Sequence, residues 1–177
     1  VCTLWLCIGA NTAVFTLVDG VLFRSAPYPE PSRLGEVVLR YSTARGEGVS
    51  TAQNGKVWEA VRDNAKALSS AAYSTSTSGL YLASGDAVHH VERQRVGSGY
   101  FEVLGVGLIH GGEFSQDDDR PGGPAVVLLS ERLWKRSFAG DPAIVGRAVT
   151  LGGESHTVLG VVSEAAAPST SAELWTP

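Results

Sequence analysis

The residues best suited to chemistry lie in a few short stretches of the 177-residue chain. The segment STAQNGKV (50–57) has the outline of a phosphate-binding loop. Such a loop needs Gly at its first position for the turn, and Ser or Thr directly after the lysine for the magnesium ion. Ser50 and Val57 occupy those two places, so the segment does not qualify. QDDDR (116–120) sets Asp117, Asp118 and Asp119 side by side. An EF-hand alternates its ligands and ends on a Glu at position 12. Counted from Asp117, that place holds Leu128, and a solvated turn is expected instead. His89 and His90 are neighbours on a predicted strand, so their side chains face opposite ways and cannot share an ion. His110 and His156 stand alone. Ser98, in VGSGYF, sits between glycines at the wrong spacing for a G-x-S-x-G nucleophile elbow, and GVVSE (160–164) lacks the second Gly. No nucleophile, base and orienting group come together. No catalytic, cofactor-binding or metal-binding residue is assigned, and a non-enzymatic protein is expected.

Composition narrows the class further. Fourteen Lys and Arg against 18 Asp and Glu give a net charge of −4, which supplies no general basic field for nucleic acid. The charged fraction is 18%, below the usual ~25%. Gly is frequent, at 21 residues, and β-branched residues are common, a mixture that favours strands and tight turns. Cys2 and Cys7 are the only cysteines; five apart on a helix, they would point in different directions. Thiol catalysis and Cys-based zinc sites are thereby excluded beyond residue 7. The chain contains no Met and opens inside an apolar run, so it is expected to be a piece of a longer protein.

That run, Val1 to Phe23, has no charge before Asp19. As a helix it would span roughly 35 Å, enough for a hydrocarbon core of ~30 Å. Thr12, Thr16 and Asp19 share one face at i, i+4 and i+7, and Gly9 and Ala13 form a small-xxx-small pair beside them. Polar stripes and small residues in a membrane helix face other helices rather than lipid. A transmembrane helix is therefore expected at 1–23, with Arg24 near its interface. RSAPYPEPSRL follows, with three prolines in five residues, and predicts an extended, stiff connector at 24–33.

The remainder reads as mixed α and β. Strands are predicted over 34–42, within SSAAYSTST and GLYLAS, and over 87–96, the last polar on both faces and so expected at an edge or in a pairing ribbon. TARGEGVS is expected as a loop, and 52–66 as a helix carrying Val57, Trp58, Val61, Ala65 and Leu68. SGYFEVLGV is expected as a short helix or turn. Val126 to Leu129 reads as a buried strand, and Ser130 as the cap of a helix that presents Leu133, Trp134 and Phe138 and stops at Gly140. Asp141-Pro142 starts a second short helix. Gly152-Gly153 joins strands at 147–151 and 154–162 as a two-residue hairpin turn. Ala165 to Ala172 is loop-like, and AELWTP has the character of a strand.

Several blocks resemble a known family. IGANTAVFTLVDGVLFRSAPYPEPSRL is similar to the end of the first membrane helix in MacB-type, FtsX-like ABC transporter permeases. GSGYFEVLGV, the long block from GGEFSQDDDR to LGVV, and ELWTP resemble successive blocks of that family's periplasmic core domain, in the family's order. The stretch from Leu133 to Val162 is the most specific. One departure is plain: where the family shows a Trp-Arg pair in the helix after the first strand, Trp58 is followed by Glu59.

The resemblance implies an α+β fold, with an N-terminal transmembrane helix followed by a mixed α/β periplasmic core domain. It implies the first half of a porter-like subdomain at 34–96 and a small inserted α/β subdomain, incomplete at its end, at 97–177. It places the protein in the bacterial inner membrane, with residues after about 24 in the periplasm. Such domains couple ATP-driven motion of membrane helices to export or extraction of a substrate. The implied partners are an ABC ATPase domain or subunit, a second permease copy, membrane lipid and a periplasmic adaptor protein; ATP itself would sit on the ATPase. The alternative is a single-anchor binding or signalling ectodomain.

Because Ser50 and Val57 break the phosphate loop, the chain is expected to show no magnesium-dependent ATP binding. Titration calorimetry checks this; a micromolar, magnesium-dependent isotherm would contradict it.

Overall fold

The computed structural model describes residues 28, 30–44, 46–85, 87–164 and 171–177. The transmembrane helix expected at 1–23, with Gly9, Thr12, Ala13, Thr16 and Asp19, lies outside the described residues. Among the described residues, no helix is long and apolar enough to cross a membrane. In the connector, Pro31–Arg33 form one turn of 3-10 helix, and Arg33 pairs with Glu30 at 2.7 Å.

Two strands follow, β1 (Leu39–Thr43) and β2 (Gly46–Ser50), which among the described residues pair with each other alone. Within the expected loop TARGEGVS, Gly46–Ser50 thus form the second arm of a hairpin. Helix α1 (Gly55–Asn64) begins where the Asn54 side chain accepts the Val57 N–H at 3.0 Å. None of its residues is buried.

The other seven strands form one sheet: β3 (Ser78–Ser84), β4 (Ala87–Arg95), β5 (Leu108–Gly111), β6 (Val126–Ser130), β7 (Ala148–Leu151), β8 (Glu154–Val162) and β9 (Leu174–Thr176). Their order is β5-β8-β6-β9-β4-β3-β7, and β7 also pairs with β8. The sheet therefore closes into a ring of six strands, with β5 attached outside it. One side of β8 serves two partners in turn: Glu154 to Thr157 bond β7, and Gly160 to Val162 bond β5.

Closure gives the sheet an inside. Leu82, Val91, Val127, Val149, Val158 and Leu174, one from each ring strand, meet in a single cluster. Helix α3 (Glu131–Phe138) adds Leu133, Trp134 and Phe138 to that cluster. Its start is held by Ser130 Oγ, which accepts the Leu133 N–H at 3.2 Å, a cap that contributes about 1 kcal/mol. Its far end is tied by Trp134 Nε1, which donates to the Asp141 carbonyl at 2.9 Å. A second cluster lies on the opposite face, built on Val96, Phe101, Phe114, Leu128, Val162 and Trp175. Phe101 belongs to the short helix α2 (Tyr100–Leu104). All of β6 is buried because Val127 and Leu129 feed the first cluster while Val126 and Leu128 feed the second.

Further expectations change. Of the two readings of 87–96, an edge strand or a pairing ribbon, the second holds: β4 pairs β3 as an antiparallel ribbon and also borders β9, so it is no edge. Its polarity misleads because the buried Gln94 is fully partnered: it donates to the Thr75 carbonyl at 2.9 Å and accepts from Trp175 Nε1 at 3.2 Å. SSAAYSTST forms only an isolated bridge, Ser74 to Val96, and no strand. The boundary expected at 96/97 falls within one sheet, since β4 pairs β9 and β3 pairs β7. The Gly152-Gly153 hairpin is as expected: both residues have positive φ, 60° and 89°, and join β7 to β8.

Two glycines with similar φ should respond differently to Ala. At Gly152 (φ 60°) an added Cβ meets only Leu80 Cδ2 at 3.5 Å, so Gly152→Ala should cost about 1 kcal/mol of backbone strain. At Gly111 (φ 76°) the added Cβ would lie 1.9 Å from the Leu159 carbonyl oxygen, so Gly111→Ala should cost on the order of 3 kcal/mol. Denaturant unfolding checks the order; equal midpoints would show that β5 does not approach β8 this closely.

Candidate functional site

The described residues converge on one short segment, VGSGYF (96–101), at the exit of β4. Its backbone is tied on every side. Val96 N–H donates to the Thr176 carbonyl at 3.0 Å, and Gly97 N–H to the Tyr73 carbonyl at 2.9 Å. Ser98 N–H donates to Asp119 Oδ2 at 2.9 Å, and Phe101 N–H to Glu113 Oε1 at 2.8 Å. Residue 97 must be small, because a Cβ there would sit 2.7 Å from two atoms of the Tyr73 ring.

Two carboxylates organise this segment. Asp119 bridges it to Tyr73, whose hydroxyl donates to Asp119 Oδ1 at 2.9 Å. Burial and, next, that hydrogen bond push the Tyr73 phenol up to about 12. Glu113 accepts the first amides of α2, from Phe101 and from Glu102 at 3.2 Å. Burial raises the Glu113 carboxyl, and the two amide hydrogen bonds oppose that rise.

The β1–β2–α1 unit reaches the ring here. Trp58 of α1 meets Tyr73 edge-on, with ring centroids 5.5 Å apart and planes at 65°. Beside this contact lies a cleft of about 250 Å³, lined by Trp58, Arg62, Ser69, Ser98, Gln116 and Asp119 among others. Arg62 is paired with Asp63 at 2.8 Å, and that neighbour raises the guanidinium pKa. The outer groove of α1, lined by Val57, Ala60, Val61 and Ala65, remains open. Val49 of β2 is 61% exposed.

The residues weighed for chemistry are placed apart. Residues 116–118 form the expected turn, in which Asp117, Asp118 and Asp119 have three different tasks. Asp117 pairs with Arg120 at 3.6 Å, Asp118 accepts from the Ser115 N–H and hydroxyl at 2.7 and 2.6 Å, and Asp119 holds Tyr73 and Ser98. Ser98 contributes its amide to this junction. His90 contacts Tyr81 edge-on at 5.6 Å, while His89 opposes the inward-facing Leu82, so the two rings do face opposite ways. His110 lies against Trp134 at 5.2 Å, and His156 Nδ1 is 3.1 Å from the Glu154 carbonyl. Among the described residues, no three His, Cys, Asp or Glu side chains are grouped to hold a metal. Asp119 and Glu113 were not singled out by sequence as structural ties. Tyr73 is 46 residues from Asp119, and no spacing rule joins them.

The Tyr73 shift has a pH consequence. Its folded pKa is raised from 10.0 to about 12, so its contribution is complete below pH 10 and is lost as pH climbs through about 12. The contribution should be about 1 kcal/mol, less than the ~2.7 kcal/mol of a two-unit shift because the ring is half solvated. Tyr73→Phe should therefore flatten the stability profile between pH 10 and 12 relative to wild type. Urea midpoints across that window check it; parallel profiles would show that Asp119 does not hold the phenol.

The fold has counterparts among solved structures. It is similar to the periplasmic region of MacB from Actinobacillus actinomycetemcomitans, with 24% identity, TM-score 0.54, and coverage of 67% of this chain and 54% of that one. It is also similar to a domain assigned to a permease protein from Porphyromonas gingivalis, with 18% identity, TM-score 0.55, and coverage of 74% and 55%. The chain thus corresponds to a little over half the length of each. No curated protein matches it. The family model for the MacB-like periplasmic core domain matches residues 1–177, and the chain belongs to that family of ABC transporter permease domains.

Proposed function

We propose that this chain is the extracytoplasmic core domain of an ABC permease subunit, and that it passes ATP-driven motion of membrane helices to a substrate outside the membrane. It performs no bond chemistry of its own. The observation that carries this is the junction at 96–101. Among the described residues, a loosely attached unit, β1–β2–α1, meets a closed ring at the aromatic contact of Trp58 with Tyr73, and the carboxylates beside it are bound to backbone amides and a phenol. A rigid body and a lightly held lever suit transmission of movement. They leave Asp119 and Glu113 engaged in structure rather than available as acid or base.

On this proposal, ATP binds a separate ATPase domain or subunit. The open apolar surface of β1–β2–α1, with Val37, Leu39, Tyr41 and Val49 exposed, is covered in the assembled permease. A second permease copy, an adaptor protein outside the membrane and membrane lipid complete the assembly. The expected helix at 1–23 anchors the domain in the bacterial inner membrane, with the ring on its periplasmic side.

The test uses the full permease with its ATPase in membranes. Cys2 and Cys7 are replaced by Ser, and spin labels are placed at the exposed positions Lys56 on α1 and Thr150 on β7. The Lys56–Thr150 distance distribution should shift by several ångströms between nucleotide-free and ATP-bound states. An unchanged distribution with an active ATPase would contradict the proposal.

A further inference from the structure

The connector has its own attachment to the ring, separate from that of α1. Tyr28 is partly buried and packs against the second core cluster. Tyr100 packs against the same cluster, so the two side chains share one seat on the ring. From Tyr100 a line of edge-on aromatic contacts runs inward. Tyr100 meets Phe101 at 5.2 Å and 81°, and Phe101 meets Trp175 of β9 at 5.2 Å and 89°. Trp175 Nε1 donates to Gln94 of β4 at 3.2 Å. Each partner beyond Tyr100 is buried, so these rings have little room to yield.

The sequence around Tyr28 makes this attachment mechanically meaningful. Pro27, Pro29 and Pro31 flank it. Each proline fixes its own φ and restricts the residue before it, so this stretch of sequence has few backbone conformations to exchange. The side chain of Tyr28 is seated on the ring. The hairpin and α1 come later in the chain and reach the ring through Trp58.

We infer that Tyr28 is the anchor by which the connector is fixed to the ring. A displacement of the connector then reaches β4 and β9 through Tyr100, Phe101 and Trp175 before it reaches the β1–β2 hairpin. Tyr28 is a positioning residue here, and the inference rests on the transmission role proposed above.

The test uses the full permease with its ATPase and labels at Ser32 in the connector and Thr150 on the ring, both exposed. In wild type and Tyr28→Phe, the Ser32–Thr150 distribution should be narrow and the same with and without ATP. Tyr28→Ala, and independently Tyr100→Ala from the other side of the contact, should broaden it at least twofold. A distribution as narrow as wild type in either folded alanine variant would overturn the anchor. The Lys56–Thr150 pair, measured in parallel, reports the transmission role alone. If it ignores ATP in wild type, the proposed function fails, whatever the Ser32 label shows.

Discussion

The fold depends on a strand of four residues that is hydrogen-bonded on both sides. β7 pairs Leu151 and Thr150 with Leu82 and Ala83 of β3, and Ala148 to Leu151 with Glu154 to Thr157 of β8. Without the first pairing, the sheet would be open, and β3 and β7 would present unpaired edges. With it, six strands share one interior, and α3 packs its apolar face there. Closure also fixes where β4 ends, and so where residues 96–101 stand. The junction inherits its geometry from the ring.

The contrast with residues 39–64 is energetic. A two-stranded ribbon is marginal alone in water. β1 and β2 pair with no third strand among the described residues, and α1 buries none of its side chains. The ring has two clusters with many residues fully shielded from solvent. Stability is therefore distributed unequally along the chain. The transmission role proposed above requires that inequality, because a part that moves must be held less firmly than the part it moves against.

The sequence was most legible where structure is local. Between Val126 and Val162, the Ser130 cap, the left-handed stop at Ala139 and Gly140, the Asp141-Pro142 start and the Gly152-Gly153 turn are each settled by neighbours within a few residues. Legibility failed where a distant partner decides. β2 carries Gly46 and Gly48 and reads as a loop until it is paired with β1. β5 was not anticipated, because Leu108–Gly111 is ordered by the far end of β8. The sequence leaves β4 as an edge or a pairing ribbon because the partners of its buried Gln94, Thr75 and Trp175, are far from it in sequence. Family membership was legible for another reason: the long block from Leu133 to Val162 holds many positions in fixed order, and matching it requires no contacts. The junction was hidden for the same reason as β4. Its members Trp58, Tyr73, Ser98, Glu113 and Asp119 are scattered along the chain and meet only after the ring has closed.

The central claim is that a rigid closed ring carries a lightly held β1–β2–α1 unit. Native-state amide hydrogen exchange on the chain tests it directly, by comparing the amides of Val127, Leu129 and Val158 with that of Val61 in α1. The account predicts that the three ring amides exchange only through global unfolding, with one shared free energy, while Val61 exchanges several orders of magnitude faster through local opening. Equal protection at Val61 and in β6 and β8 would contradict it, because α1 and the ring would then unfold as one cooperative unit.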